Sequence, residues 1–207
     1  MAHVYVSNAD SGDISVLHMA AHGELRLQSI VHVGGNLMPM AISPSRHMLY
    51  AARRSDPMAV VSLAIDPQNR DLRRVGEAAL PASMAYVGTD ITGRFLLAAS
   101  YPGHQLAVGP VLADGSVGAV QQVVPTGPNA HAIVASPCNR YVLATSLGGG
   151  ELMVYAFNAE TGQLSPASTW HGRAGAGPRH CRVDPAGRFV YLLNELDGTV
   201  DGLAWDS

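Results

Sequence analysis

A chain of 207 residues, 47% hydrophobic and 14% charged, can bury a substantial core, which excludes a disordered tail. Its formal net charge of -3 and the absence of any Lys/Arg block exclude nucleic acid and membrane as partners, since either needs a concentrated positive field to offset phosphates. The partner to expect is a small molecule.

The chain opens on a strand pattern, "HVYVSN", without the basic start and apolar core of a signal peptide, and no apolar run approaches a membrane span. A cytoplasmic location is the expectation. Two further strands follow, "ISVLHM" and "LRLQSIVHV". Four similar stretches come next: "PMAISPSRHMLYAA" (39–52), "MAYVGTDITGRFLLAAS" (84–100), "HAIVASPCNRYVLATS" (131–146) and "RHCRVDPAGRFVYLLNE" (179–195). Each reads as a strand, a polar turn and a second apolar strand, and no amphipathic helix stands between them. The anchor positions His47, Arg94, Arg140 and Arg188 recur at intervals of 47, 46 and 48 residues. A period in the forties with four strands per unit is the signature of a β-propeller blade.

With the strands of a blade lettered A to D from axis to rim, the A strands fall at 38–43, 84–89, 131–136 and 179–184, and the B strands near Met48, Phe95, Tyr141 and Phe189. "AVVSLAI", "QLAVGPVL", "ELMVYAF" and "TVDGLAW" are the C strands. "LRRVGEAAL", "SVGAVQQVV" and "QLSPASTW" are the D strands. The expected class is all-β, a propeller of four-stranded antiparallel blades in one partial domain. Residues 1–33 supply strands B, C and D of a blade that straddles the termini, 38–80, 84–125 and 131–170 are complete blades, and 179–207 is an incomplete one. The opening strands have no A strand to join them, so the propeller is expected to be cut, with bare blade edges that favour self-association.

Antiparallel strands bring the start of A and the end of B to one face of the disc. Arg179 and Glu195, separated by an out-and-back hairpin, should therefore meet there. Counting six residues back from Pro44, Asp90, Pro137 and Pro185 gives Met38, Met84, His131 and Arg179 as equivalent positions, all expected at the mouth of the central channel. An imidazole and a guanidinium on adjacent blades, with Glu195 behind them, would form a site able to bind an anion and move a proton. His180 alternates to the opposite strand face and is expected to pack behind the site.

"PNAHAIVASPCNRYV", "GAGPRHCRVDPAGRFVYLLNEL" and "LMPMAISPSRHMLYAARR" resemble the lactonase family of seven-bladed propellers, across essentially the whole chain. The resemblance implies about four and a half of seven blades, and an active site on His131, Arg179 and Glu195. A further arginine that the family draws from a later blade has no counterpart here. Arg54, in "YAARR", and Tyr101, in "SYPG", match family positions facing the cleft and are candidate substrate contacts through phosphate or hydroxyl groups. The implied reaction is hydrolysis of 6-phospho-glucono-lactone, in which Glu195 or His131 is the base and Arg179 stabilises the oxyanion or grips the phosphate. A cycloisomerase-like enzyme acting on a muconate lactone, and an inactive propeller fragment or binding module, are the alternatives.

No cofactor and no metal are expected: the nine histidines are scattered without HxH or HExxH spacing. There is no GxSxG, and Cys138 and Cys181 lack disulfide or CxxC spacing, so both are expected to be reduced and structural.

Overall fold

The computed structural model describes residues 2–206, and every regular element among them is a strand. Three strands come first, β1 (Ala2–Asn8), β2 (Asp13–Met19) and β3 (Leu25–His32), paired antiparallel in that order. Three four-stranded antiparallel sheets follow. The first holds β4 (Leu37–Ile42), β5 (Met48–Arg53), β6 (Ala59–Ile65) and β7 (Leu72–Ala79). The second holds β8 (Tyr86–Thr89), β9 (Phe95–Ser100), β10 (Gln105–Pro110) and β11 (Gln122–Pro125), and the third β12 (Ala130–Ala135), β13 (Tyr141–Ser146), β14 (Glu151–Phe157) and β15 (Leu164–His171). A last three-stranded sheet contains β16 (Pro178–Val183), β17 (Phe189–Asn194) and β18 (Val200–Ala204). Within every sheet each strand pairs only with its neighbours in sequence, the pattern of propeller blades.

One turn recurs between the first two strands of each of the last four sheets. The side chains of Ser43, Asp90, Ser136 and Asp184 accept from the amides five residues on, those of Met48, Phe95, Tyr141 and Phe189. The fourth residue of each turn, Arg46, Gly93, Asn139 or Gly187, has a φ between 56° and 75°. A short polar side chain opening the turn and a left-handed residue closing it reverse the chain while keeping its amides satisfied.

Four apolar cores join neighbouring sheets. Ile14 and Val16 pack against Leu49, Val61 and Leu63, while Tyr50 and Val60 pack against Met84, Leu96 and Ala98. Leu97 and Leu106 meet Ile133, Val142 and Tyr155, and Leu143 and Leu152 meet Cys181, Val190 and Leu192. Burial pushes the Cys181 thiol up to about 12, so it packs as a small apolar group, whereas Cys138 is exposed in its turn.

Three details depart from the expectation. The outer strand of the second sheet is only Gln122–Pro125 instead of the stretch 116–124. Pro110 has no amide to extend the ladder, and the chain turns away through an isolated Val111–Val117 bridge. Met84 does not reach the channel mouth: it is 1% exposed in the core with Tyr50 and Leu80. Asp90 takes the place of Ser43, Ser136 and Asp184 in the turn, not that of the prolines after them, so the residue equivalent to Met38, His131 and Arg179 is Ala85. Glu195 lies in the turn just past β17 and not within it.

Candidate active site

The inner strands β12 and β16 are each interrupted at one residue. Ala130 pairs with Ser146 and Ala132 with Thr145, leaving His131 unpaired. Pro178 pairs with Asn194 and His180 with Leu193, leaving Arg179 unpaired. A bulge of this kind breaks side-chain alternation and re-aims the extra residue, here toward the axis on two adjacent blades. The buried hydroxyl of Thr145 ties the two together. It accepts from the Ala132 amide at 3.0 Å and donates to the Arg179 carbonyl at 2.8 Å, so two groups displaced by the bulges are satisfied by one side chain.

Glu195 is held from the other side. Its amide donates to the Gly177 carbonyl at 2.8 Å, and the Leu196 amide donates to Ala176 at 3.0 Å. Gly177 is left-handed (φ 71°), and a Cβ there would lie 2.6 Å from Leu196 Cγ. Arg173 braces the following loop through Asp197 at 3.0 Å and Asp201 at 2.6 Å.

These supports bring Arg179 Nε to 2.6 Å from Glu195 Oε2, and the same nitrogen donates to His131 Nε2 at 3.2 Å. Accepting that bond requires the neutral imidazole with its proton on Nδ1, a nitrogen that is buried. Burial holds the His131 pKa below its ordinary value of 6.5, and the positive charge of Arg179 lowers it further. The Arg179 and Glu195 side chains are 41% and 47% exposed, so the pair adds little to stability and is placed by its loops. Among the described residues no hydrogen bond uses either terminal nitrogen of Arg179, or Oε1 of Glu195. Both groups keep capacity for a ligand.

Tyr101 stands edge-on to His131 with ring centroids 6.0 Å apart. Arg54 is not brought into contact with the Arg179 cluster. Its Nε donates to Ser83 Oγ at 3.0 Å on the same loop face, three sheets from Arg179. His180 departs from its expected position. Because the bulge falls at Arg179, alternation fails there, and the His180 ring lies 5.1 Å from that of His131 and 5.8 Å from Tyr86. Burial, then Arg179 and Arg182, lowers the His180 pKa as well. Thr145, Tyr86 and Arg182 were not singled out by the sequence. Thr145 could have been found as the small polar residue near the end of a B strand, facing the bulge.

A family model described as "Lactonase, 7-bladed beta-propeller" matches residues 3–207. The chain belongs to this lactonase family. A 6-phosphogluconolactonase of Pectobacterium carotovorum is 40% identical over 200 residues, which cover 96% of this chain and 59% of the relative. The 6-phosphogluconolactonase of Yersinia enterocolitica is 36% identical with the same coverage. Among solved structures, the Pseudomonas aeruginosa periplasmic gluconolactonase superimposes with a TM-score of 0.89 at 26% identity, over 99% of this chain and 64% of that one. A Bacteroides fragilis protein at 23% identity and TM-score 0.87 shares the fold over 98% of this chain and 63% of its own. This lactonase-family chain thus spans about three fifths of the length of the curated relatives it matches. The bulged residues His131 and Arg179 and the loop residue Glu195 fall within that span.

Proposed function

We propose that the protein carrying these blades hydrolyses 6-phospho-D-glucono-1,5-lactone to 6-phosphogluconate, the pentose phosphate reaction implied by the relatives' name, with Arg179, Glu195 and His131 at the reacting end. The observation that carries this reading is the single Arg179 Nε set between Glu195 Oε2 and His131 Nε2, with the guanidinium's terminal nitrogens unspent. A lactone carbonyl gains negative charge on its oxygen as water adds to carbon, and a guanidinium offering two parallel N–H groups matches that developing oxyanion.

Glu195 is the better base of the two candidates. Its Oε1 is free and on an exposed edge of the pair, while the His131 Nε2 lone pair is already engaged by Arg179. Glu195 takes a proton from water as the water oxygen bonds to the carbonyl carbon. The tetrahedral intermediate then collapses, the bond from that carbon to the ring oxygen breaks, and the protonated Glu195 returns its proton to the ring oxygen, which leaves as a hydroxyl. His131, neutral, fixes the orientation of the guanidinium. Tyr101 closes one side of the cleft, and Arg54 on the same face is a candidate contact for substrate phosphate or hydroxyl groups.

The reaction is placed in the cytoplasm, where a phosphorylated sugar is retained, and cell fractionation recovering the protein elsewhere would remove that assignment. The activity is tested by following acid release from 6-phospho-glucono-lactone above its spontaneous rate, with muconolactone assayed in parallel. Turnover of muconolactone alone would replace hydrolysis by the cycloisomerase reading, and turnover of neither would leave a binding module.

A further inference from the structure

Below the Arg179 cluster, the inner faces of β4, β8, β12 and β16 enclose a concavity of 530 Å³ along the axis. Its wall is mostly backbone and small or apolar side chains, Met40, Ala85 and Gly88 among them, and no Asp or Glu lines it among the described residues. Against that background it holds one permanent cation, Arg182, together with His180 and Tyr86. Arg182 reaches across from β16 and donates one terminal N–H to the Tyr86 hydroxyl at 3.1 Å. The hydroxyl, acting as acceptor, keeps its own proton to donate, and among the described residues no hydrogen bond uses either ring nitrogen of His180. Three donors from two blades therefore converge on an acid-free hollow with donor capacity unspent.

Donors gathered without a carboxylate suit a compact polyanion. The His180 ring, 5.1 Å from that of His131, forms the passage from this hollow to the Arg179 cluster, so one extended ligand can occupy both. We propose that Arg182, Tyr86 and His180 bind the phosphate monoester of the substrate while its lactone end lies at Arg179 and Glu195. The assignment rests on the lactonase reading for the identity of the ligand, and on the channel geometry alone for the anion. Gly88 keeps the hollow open beside the phenol, because a Cβ at that position would lie 3.2 Å from the Tyr86 ring. Arg54, hydrogen-bonded to Ser83 on the loop face, is the competing phosphate ligand.

The test compares 6-phospho-glucono-lactone with unphosphorylated glucono-lactone in the wild-type protein and in Arg182→Met, Tyr86→Phe and Arg54→Met. A charged hydrogen bond lost to the phosphate should raise KM for the phosphorylated lactone in Arg182→Met by about tenfold or more beyond any change on the unphosphorylated one. Tyr86→Phe, which keeps the ring against His180, should shift KM the same way by a smaller factor. Equal losses on both lactones, or a selective loss confined to Arg54→Met, would overturn the proposal. A titration with inorganic phosphate, read on the His180 ring resonances by NMR, separates this site from the reaction. If the wild-type protein opens neither lactone, the lactonase reading falls, but phosphate shifts present in wild type and lost in Arg182→Met still uphold the anion site. Absence of those shifts in the wild type overturns it.

Discussion

Thr145 in the third four-stranded sheet donates its buried hydroxyl to the backbone carbonyl of Arg179 in the next sheet, at 2.8 Å. The same oxygen accepts from the Ala132 amide, so the residue after one bulge and the bulged residue of the other share one side chain. Thr145→Val keeps the shape and removes the hydroxyl. Leaving a buried carbonyl and amide without partners should cost about 1–3 kcal/mol in urea unfolding. Turnover should fall too, because Arg179 loses its anchor, and Thr145→Ser should restore most of both. A Thr145→Val protein with wild-type stability would show that the bulges hold themselves.

Arg179→Ala should lower kcat on 6-phospho-glucono-lactone by about a hundredfold, the order expected when one charged donor to a developing oxyanion is lost. Because the Arg179–Glu195 pair is half exposed, the melting temperature should hardly move. Near-wild-type turnover would reduce the pair to an ordinary cross-loop contact.

The His131 ring should titrate below 6.5 in an NMR pH series, because burial and Arg179 both disfavour its charged form. Replacing Arg179 by Gln removes the second cause and should move the titration up, though not beyond the ordinary value while burial remains. The linkage sign follows. Between the two titration points the unfolded chain binds more protons than the folded one, so the stability contributed by a neutral His131 is full above pH 6.5 and is lost as pH falls through the folded value. A His131 titrating above 6.5 in the wild-type protein contradicts the burial seen here.

The two end sheets carry apolar faces that no other sheet covers among the described residues. Phe189, Tyr191 and Val200 on the last sheet are 42%, 51% and 61% exposed, and Leu27 and Ile30 on the first are 59% and 49%. Burying a few hundred Å² of such surface at roughly 25 cal/mol per Å² is worth several kcal/mol. The 207-residue polypeptide, expressed by itself, should therefore associate with a second copy through these faces. Sedimentation as a monomer at high micromolar concentration would refute this, and Tyr191→Lys should weaken the association if it occurs.

Most of the strand order could be read from the sequence because alternation and turn chemistry are local, and each sheet is built from consecutive strands. The His131, Arg179 and Glu195 cluster was legible for a related reason: equivalent places in a repeat become neighbours on one face. The failures were also local in origin. Asp90 does in its turn what Ser43, Ser136 and Asp184 do in theirs, and counting from it as though it were one of the prolines put Met84 one residue out of register with the mouth. The bulge at Arg179 defeated the period-two rule for His180. Arg182 meets Tyr86 across the axis between residues 96 apart, a contact set by the curvature of the ring and by no pattern along the chain.

The recurring turn, opened by a hydrogen-bonding side chain and closed by a left-handed residue, affects how the chain finds its structure. Each inner hairpin can form from its own short segment before any distant contact exists, which keeps contact order low within a sheet. Coupling between sheets then passes through the four nearest-neighbour cores and a few hydrogen bonds along the axis, such as Arg182 to Tyr86, so cooperativity approaches that of a linear array of units. A lesion in one core should loosen the two sheets beside it and leave protection from hydrogen exchange in the farther sheets intact. During synthesis the opening hairpins can acquire their pairing while later ones are still being made.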